Sequence, residues 1–273
     1  MRRLGRWGPV IVVGLLVLAI AFPFYWAVVS SLTPEARLFE APSLFPRQLV
    51  FDHYRALFDE RNFWIPIRNS LIVAGNTTAF CVLVGSLCAY ALARLQFRWK
   101  RPILAFILAV TMFPQISIVS PLYLLLRALG LINTYPGLVL PYLTFAMPLT
   151  VWLLVSFFRQ LPAELEEAAM ADGASRLRAF WEIILPLSLP GLATTAILTL
   201  VYCWNEFLFA LSFTLGPERQ TVPVAIALFR GQYQVPWGQI LAAAVVATAP
   251  VALLVLLFQR KIVQGLTAGT VKG

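Results

Sequence analysis

Few residues in this sequence could perform catalysis, and they are not grouped. The one histidine, His53, lies beside Tyr54 in a polar segment, and an isolated exposed histidine is more often solvated than catalytic. The phosphate-binding pattern G-x-x-x-x-G-K-[ST] does not occur. Cys81, Cys88 and Cys203 lie in apolar runs, where they indicate small packing residues rather than a disulfide framework or a zinc site. We therefore expect no enzymatic activity, no metal site and no cofactor in this chain.

The most organised polar segment covers residues 159–188. Pro162 suits a first helical turn, and the glutamates that follow it complement the positive end of a helix dipole. Gly173 can adopt the left-handed conformation that ends a helix, and Ser175 can cap a second helix. Small residues between these ends would let the first helix press its backbone into a groove of another protein. These small residues are Ala168, Ala169 and Ala171. The alternative is a loop that rests on a membrane surface.

The composition around this segment is typical of a membrane protein. The chain of 273 residues is 60% hydrophobic and 12% charged, with a mean hydropathy of +0.81. Apolar runs that could cross about 30 Å of hydrocarbon cover residues 9–29, 70–93, 102–126, 137–158, 189–213 and 240–258. They are continuous and too long for barrel strands. The sequence predicts an all-α integral membrane protein with six transmembrane helices in a single domain, residues 1–273.

Clusters of basic residues flank these runs on one side, which predicts the orientation of the chain. They occur before the first run, between the second and third runs, in the 159–188 segment and after the last run. Examples are Arg2, Arg3, Arg6, Arg94, Arg98, Lys100, Arg101, Arg260 and Lys261. Both termini are therefore expected in the cytoplasm. Topology also explains the net charge of +9, so we expect no nucleic-acid partner.

Glu206 is the only carboxylate inside any of the six runs. An ionisable group at that depth needs a polar partner or a water-filled path. Asn205 and the cluster Asn76-Thr77-Thr78 are candidate partners. Three roles remain open for Asn205 and Glu206: lining of a translocation path, contact with a gate, and membership of a buried structural network.

Two features of the connections also yield expectations. Prolines 114, 121, 141 and 148 are expected to interrupt the third and fourth runs, and the alternative is that each is tolerated within a helix. The segment 30–69 is expected on the outer side, with a short amphipathic helix at residues 52–61.

The 159–188 loop carries a long gapped pattern. Glu167-Ala168-Ala169 is followed by Gly173 and then by Ile183-x-Leu185-Pro186. At every position this pattern resembles the EAA signature of binding-protein-dependent ABC importer permeases. Flanking segments such as Ala171-Asp172-Gly173 and Trp204-Asn205-Glu206-Phe207 make the chain most similar to the smaller, maltose-type (MalG-like) permease subunits of carbohydrate importers. The resemblance covers nearly the whole chain and implies the type I ABC importer permease (MetI-like) fold.

This resemblance implies a multi-pass subunit of the cell membrane that forms half of a translocation path for a sugar, with trehalose or maltose as the suggested subclass. Its implied partners are a second permease subunit, a dimer of ATP-binding subunits that holds ATP and Mg, and an extracytoplasmic sugar-binding protein. The cytoplasmic helix around residues 167–173, including Asp172, would couple closure of the ATPase to rocking of the spans.

The resemblance implies two further contacts. The loop of residues 215–237, with Glu218 and Gln232, would contact the binding protein. The tail that begins with Leu266, Thr267, Ala268 and Gly269 is too polar to extend the last span and would touch the ATPase; a disordered end is the alternative. Two other classes are a secondary transporter, disfavoured by the lack of repeated halves and of several intramembrane charges, and a membrane assembly protein, which would need no docking helix.

Overall fold

The structure, a computed structural model, describes residues 4–40, 44–45, 48–229 and 235–268, and every element in these ranges is helical. The helices are α1 Leu4–Ser31, α2 Asp52–Arg55, α3 Trp64–Arg94, α4 Lys100–Thr111, α5 Ile116–Ala128, α6 Tyr135–Gln160, α7 Glu164–Ala171, α8 Arg176–Ala179, α9 Leu185–Leu187, α10 Leu189–Trp204, α11 Leu208–Phe213, α12 Val222–Ala227 and α13 Trp237–Ala268. A 3-10 turn covers Glu35–Arg37, and π-helical turns cover Ala56–Glu60 and Phe180–Ile184.

The predicted spans correspond to helices, but not all of them are continuous. Four helices are long and apolar enough to cross a membrane: Pro9–Ser31, Trp64–Arg94, Tyr135–Gln160 and Trp237–Gln259. Two bent pairs bring the number to six if each pair is one span, namely Lys100–Thr111 with Ile116–Ala128, at 95°, and Arg176–Leu187 with Leu189–Trp204, at 76°. The 102–126 run bends near Pro114, where an interruption was expected, whereas the prediction of one helix over 189–213 was wrong, because α10 ends at Trp204 and α11 begins at Leu208.

Proline has a different effect at each predicted interruption. Pro114 lies in the break between α4 and α5, as expected for a residue that cannot donate a backbone hydrogen bond. Pro121 lies inside α5, and Pro141 and Pro148 lie inside the unbroken α6, so at these positions the alternative of a proline tolerated within a helix is confirmed. The two prolines of α6 are buried in the helix's packed face, and this packing holds the helix in place.

The chain divides into two compact units, and the larger one comprises Ile65–Val224 and Val251–Gly273. Its core is built around α3, α6 and α10. Thr150 of α6 and Thr199 of α10 share a hydrogen bond of 2.9 Å between their hydroxyls. At Gly85 of α3, an added Cβ would lie 3.2 Å from the Cγ2 atom of Thr150, so the glycine allows α3 and α6 to approach closely.

Two apolar clusters fill this unit. The first joins α3, α6 and α11, with Tyr142, Phe145, Phe209 and Phe213 among its members. The second joins the far end of α3 to α6 and to the π-helical turn after α8, with Leu154, Phe158, Phe180 and Ile184. The second cluster fixes the 159–188 loop against the ends of the spans.

The smaller unit comprises Met1–Trp64 and Ala225–Pro250. The predicted short helix at 52–61 is confirmed as α2 and the π-helical turn that follows it. His53 was expected to be exposed, and that was wrong. Its ring is buried and has polar contacts on both nitrogens. Nε2 lies 2.9 Å from the carbonyl oxygen of Thr33, and Nδ1 lies 3.9 Å from a carboxylate oxygen of Glu35. These contacts explain the histidine as a structural residue.

Candidate functional site

The 159–188 loop folds as the predicted pair of helices. The first is α7, whose end is set by Gly173 in a left-handed conformation with φ of +86°. The hydroxyl of Ser175 accepts a hydrogen bond from the backbone N–H of Arg178 at 3.3 Å, which caps the second helix. The start of α7 differs from the prediction, because the helix begins at Glu164 and Pro162 precedes it by two residues.

The small residues of α7 lie on two different faces. Ala168 and Ala171 are exposed, as are Asp172 and Gly173 after the helix. Ala169 is only 9% exposed and faces its own chain. Placing Ala169 on an exposed contact face was therefore wrong. We name the exposed residues Glu167, Ala168, Ala171 and Asp172 the α7 surface.

Glu166 is the residue of this loop that sequence reasoning missed. It is buried, and one of its carboxylate oxygens accepts a hydrogen bond from the hydroxyl of Tyr90. Its other oxygen lies 3.9 Å from Nε of Arg94, and the same guanidinium donates to the carbonyl oxygen of Leu161 at 2.7 Å. We name Tyr90, Arg94 and Glu166 the α3–α7 clamp. Helical spacing could have revealed it, since Glu166 shares the buried face of α7 with Ala169 three residues later.

The remaining signature residues set the turn from the loop into α10. Ile183 and Leu185 are half-buried, and Pro186 is exposed in the short helix α9. Between them Ile184 is fully buried in the second apolar cluster. The chain then bends by 76° into α10, so these residues orient the loop relative to a span.

Glu206 lies in the break between α10 and α11 and acts as a helix cap. Its two carboxylate oxygens accept hydrogen bonds from the backbone N–H groups of Phe209, at 2.8 Å, and Ala210, at 3.2 Å. These N–H groups begin α11 and have no partner within the helix. The candidate partners were wrong, because the side-chain amide groups of Asn205 and Asn76 donate to Val201 and Ile72 of their own helices, and the hydroxyls of Thr77 and Thr78 make no hydrogen bond within the described residues. Of the three roles left open, the geometry favours a buried structural network for Glu206.

The breaks in two spans meet at one cavity. Its volume is about 400 Å³, and Gln115, Tyr202, Asn205 and Glu206 are among its lining residues. The side-chain amide of Gln115, in the break between α4 and α5, donates to the hydroxyl of Tyr202 at 2.8 Å. The exposed side chain of Asn205 borders the same cavity. Polar groups from both broken spans therefore surround one opening.

The segment that contains Glu218 is held at several points. The side-chain amide of Asn133 donates to the Glu218 carboxylate at 2.8 Å, and this bond lowers the pKa of Glu218. The side-chain oxygen of Asn133 accepts from the backbone N–H of Leu215 at 3.1 Å, while the side-chain amide of Asn69 in α3 donates to the backbone carbonyl oxygens of Glu218 and Gln220. We name residues 214–221 the 218 loop. Gln232 lies outside the described residues.

The start of the tail is helical. Leu266, Thr267 and Ala268 belong to α13, so the last helix continues into the tail. Gly269 lies outside the described residues.

Comparisons with known proteins agree with the signature in the loop. The sequence profile of the family described as "Binding-protein-dependent transport system inner membrane component" matches residues 81–268. The chain is 43% identical to the trehalose/maltose transport system permease protein MalG of Thermococcus litoralis, with 96% of each chain covered. It is 46% identical to the trehalose transport system permease protein SugB of Mycobacterium tuberculosis, with 92% of each covered.

Solved structures show the same fold. A chain from the crystal structure of a bacterial ABC transporter that imports the acidic polysaccharide alginate superposes with a TM-score of 0.80 at 22% identity, covering 94% of this chain and 96% of that one. A chain of the MetNI methionine ABC transporter superposes with a TM-score of 0.59 at 18% identity. The match of the profile, the identity over nearly the full length and the shared fold place this chain in the family of inner membrane components of binding-protein-dependent transport systems, the non-catalytic permease subunits of ABC importers.

Proposed function

We propose that this chain is one of two permease subunits of a carbohydrate importer and that a separate ATPase drives it through α7. The α7 surface carries this proposal. Ala168 and Ala171 are exposed on a short helix with fixed ends, and such small residues let another backbone approach closely. The names of relatives, which refer to trehalose, maltose and sulfoquinovosyl glycerol transport, support a carbohydrate as the substrate.

In the proposed cycle, ATP and Mg bind to the partner ATPase, and its closure displaces α7. The spans of the two permease subunits then rock from an inward-open to an outward-open arrangement, and a loaded binding protein biases this equilibrium. Both termini and the 159–188 loop lie on the cytoplasmic side of the cell membrane, because basic residues flank the spans on that side.

The cavity at the two span breaks is the proposed contribution of this subunit to the translocation path. Broken helices are tolerated at membrane depth where they line a water-filled space. Gln115, Tyr202 and Asn205 offer hydroxyl and amide groups that suit a neutral sugar. Glu206 shapes the cavity rather than binding the sugar, since both of its oxygens are engaged by α11.

Purification of the affinity-tagged chain from its native membrane tests the proposal. An ATPase and a second permease should co-purify, and sugar uptake by vesicles containing the complex should require ATP. Transport by the chain alone, or its purification without an ATPase, would contradict the proposal.

The 218 loop is expected to contact the binding protein. Its hydrogen bonds to Asn69 and Asn133 hold Glu218 in a defined position, and the exposed carboxylate is available to a partner. A photo-crosslinker in place of Glu218 should capture the loaded binding protein. The control is the same crosslinker at Trp99, an exposed residue beyond the other end of α3. It should not capture the binding protein. Equal capture at both positions would count against this contact.

Deletion of residues 266–273 is expected to lower the ATP hydrolysis that accompanies transport while leaving membrane insertion intact. The deletion leaves residues 237–265 of α13 in place, including the apolar span Trp237–Gln259. ATPase activity of the purified complex, with and without loaded binding protein, measures the effect. Unchanged activity would assign no contact to the tail.

A further inference from the structure

Helix α3 is the least interrupted of the long helices. It runs for 31 residues, about 46 Å at 1.5 Å per residue, and has no proline beyond its first turn. The other helices long enough to span a membrane, α1, α6 and α13, each contain at least one internal proline. Because proline removes a hydrogen bond and bends a helix, α3 is the stiffest of these four.

The first end of α3 is bonded to the 218 loop. Asn69 is fully buried, and its side-chain amide donates to the carbonyl oxygens of Glu218, at 3.0 Å, and Gln220, at 2.9 Å. Its side-chain oxygen accepts from the hydroxyl of Tyr135 at 2.8 Å. The neighbouring Ser70 hydroxyl accepts from the backbone N–H of Val222 at 2.8 Å. These hydrogen bonds join buried side chains of α3 to backbone atoms of the loop and of Val222, so they hold the backbone of the loop against the helix.

The second end of α3 is bonded to α7 through the α3–α7 clamp. Tyr90 and Arg94, one turn apart, both reach the buried carboxylate of Glu166. Arg94 also holds Leu161, three residues before α7. Asn69 and Tyr90 are separated by 21 residues, or about 32 Å along the helix axis, which is close to the thickness of the hydrocarbon core.

The chain offers another route between the same two regions, but that route is interrupted. From α7 it passes through α8, the π-helical turn and α9, bends by 76° into α10, and breaks again at residues 205–207 before α11. A displacement of α7 can be absorbed at either interruption. Helix α3 has no comparable break, so it is the shorter and stiffer connection.

We propose that α3 is a rigid tie that moves the 218 loop and α7 together, with Asn69 and Glu166 as the positioning residues at its two ends. The tie rests on the proposed function, in which the 218 loop contacts the binding protein and α7 contacts the ATPase. Docking of the loaded binding protein then changes the position of α7 and stimulates ATP hydrolysis. The partners bind through other residues, so the tie affects stimulation more than docking.

A double-mutant cycle on the reconstituted complex tests the tie. The variants are Asn69→Ala, Glu166→Ala and the double variant, and the readout is the ratio of ATP hydrolysis with and without loaded binding protein, on complexes that retain the ATPase. Each single variant should lower this ratio by roughly fivefold or more, the lower bound of a typical coupling energy. The double variant should fall no further than the worse single variant, because both changes interrupt one connection. A double variant whose loss equals the product of the single losses would overturn the proposal.

Matched controls separate a local effect from the tie. Asn76→Ala removes an exposed asparagine of the same helix, and Glu164→Ala removes an exposed glutamate of α7; both should leave the ratio unchanged. Alanine is a strong helix former, so α7 itself should persist in Glu166→Ala. If no ATPase co-purifies with the wild-type chain, the proposed function is wrong. If both partners dock and the single variants keep the wild-type ratio, only the tie fails.

A change within α3 gives a second test. Leu83 is 56% exposed and lies between the two ends of the tie, 14 residues after Asn69 and 7 before Tyr90. Leu83→Pro should kink the rod, leave both ends bonded to their partners, and abolish stimulation, whereas Leu83→Ala should retain it. Wild-type stimulation in Leu83→Pro would overturn the tie. Should this variant fail to insert, the double-mutant cycle decides the question without it.

Discussion

Replacing Ala168 with arginine is expected to abolish co-purification of the ATPase while the chain still inserts and still pairs with the second permease. Ala168 is exposed on the α7 surface, so a longer side chain at this position can extend away from its own chain. In the complex it would introduce a long charged side chain into a tightly packed groove, where overpacking and an unpaired charge are both costly. The fault is confined to the interface. Co-purification of the ATPase and ATP-dependent uptake measure the effect.

The matched control for this change is Ala168→Ser, which adds one small atom at the same exposed position and should keep nearly full co-purification. Gly173→Val supplies an independent variant at the turn that ends α7. Its φ of +86° strongly disfavours a β-branched residue, although an added Cβ would find no atom within 4 Å, so strain and not crowding is the fault. Wild-type uptake in both Ala168→Arg and Gly173→Val would remove α7 as the coupling element.

Much of the 159–188 loop could be predicted from the sequence because its determinants are local. Helix ends depend on residues within one turn, so Gly173 and Ser175 were sufficient to predict the break between α7 and α8. The apolar runs predicted the spans for a similar reason, since length and hydropathy alone decide whether a helix can cross a bilayer.

The contacts between elements could not be predicted in the same way. Three glutamates lie in the first turn of α7, and only packing against α3 determines that Glu166 is buried beside Arg94, which lies 72 residues earlier in the sequence. Whether Ala169 is exposed or buried depends on the same packing. The effect of a proline also depends on its surroundings, since Pro114 lies in a break while Pro141 lies inside a continuous, packed helix.

The role of Glu206 shows the same dependence. From the sequence, a lone carboxylate in an apolar run indicates function by default, because its burial is costly. The structure shows α11 starting two residues later, at Leu208, with N–H groups that point at the carboxylate. A helix that starts inside the membrane needs such an acceptor, since lipid offers none. The broken span and the buried acid therefore explain each other.

Replacing Glu206 with leucine is accordingly expected to destabilise the protein and, as a consequence, to reduce uptake. Leucine leaves the N–H groups of Phe209 and Ala210 without an acceptor, at a cost of about 1–3 kcal/mol for each buried group. Glutamine keeps one side-chain oxygen as an acceptor and should give an intermediate loss. The measurement is the thermal inactivation temperature of the detergent-solubilised complex, taken together with sugar uptake at equal protein level.

The exposed neighbour Asn205 provides the control, because Asn205→Leu also removes a polar side chain at the break but leaves the cap of α11 intact. It should alter uptake through the cavity while the inactivation temperature stays near that of the wild type. The ordering of the Glu206 variants then separates the roles. If Glu206 is a capping residue, Glu206→Leu loses more stability than Glu206→Gln, and uptake falls in the same order. A sugar ligand or proton carrier would lose uptake in Glu206→Gln at wild-type stability, and that result would replace the capping role with a direct one in the translocation path.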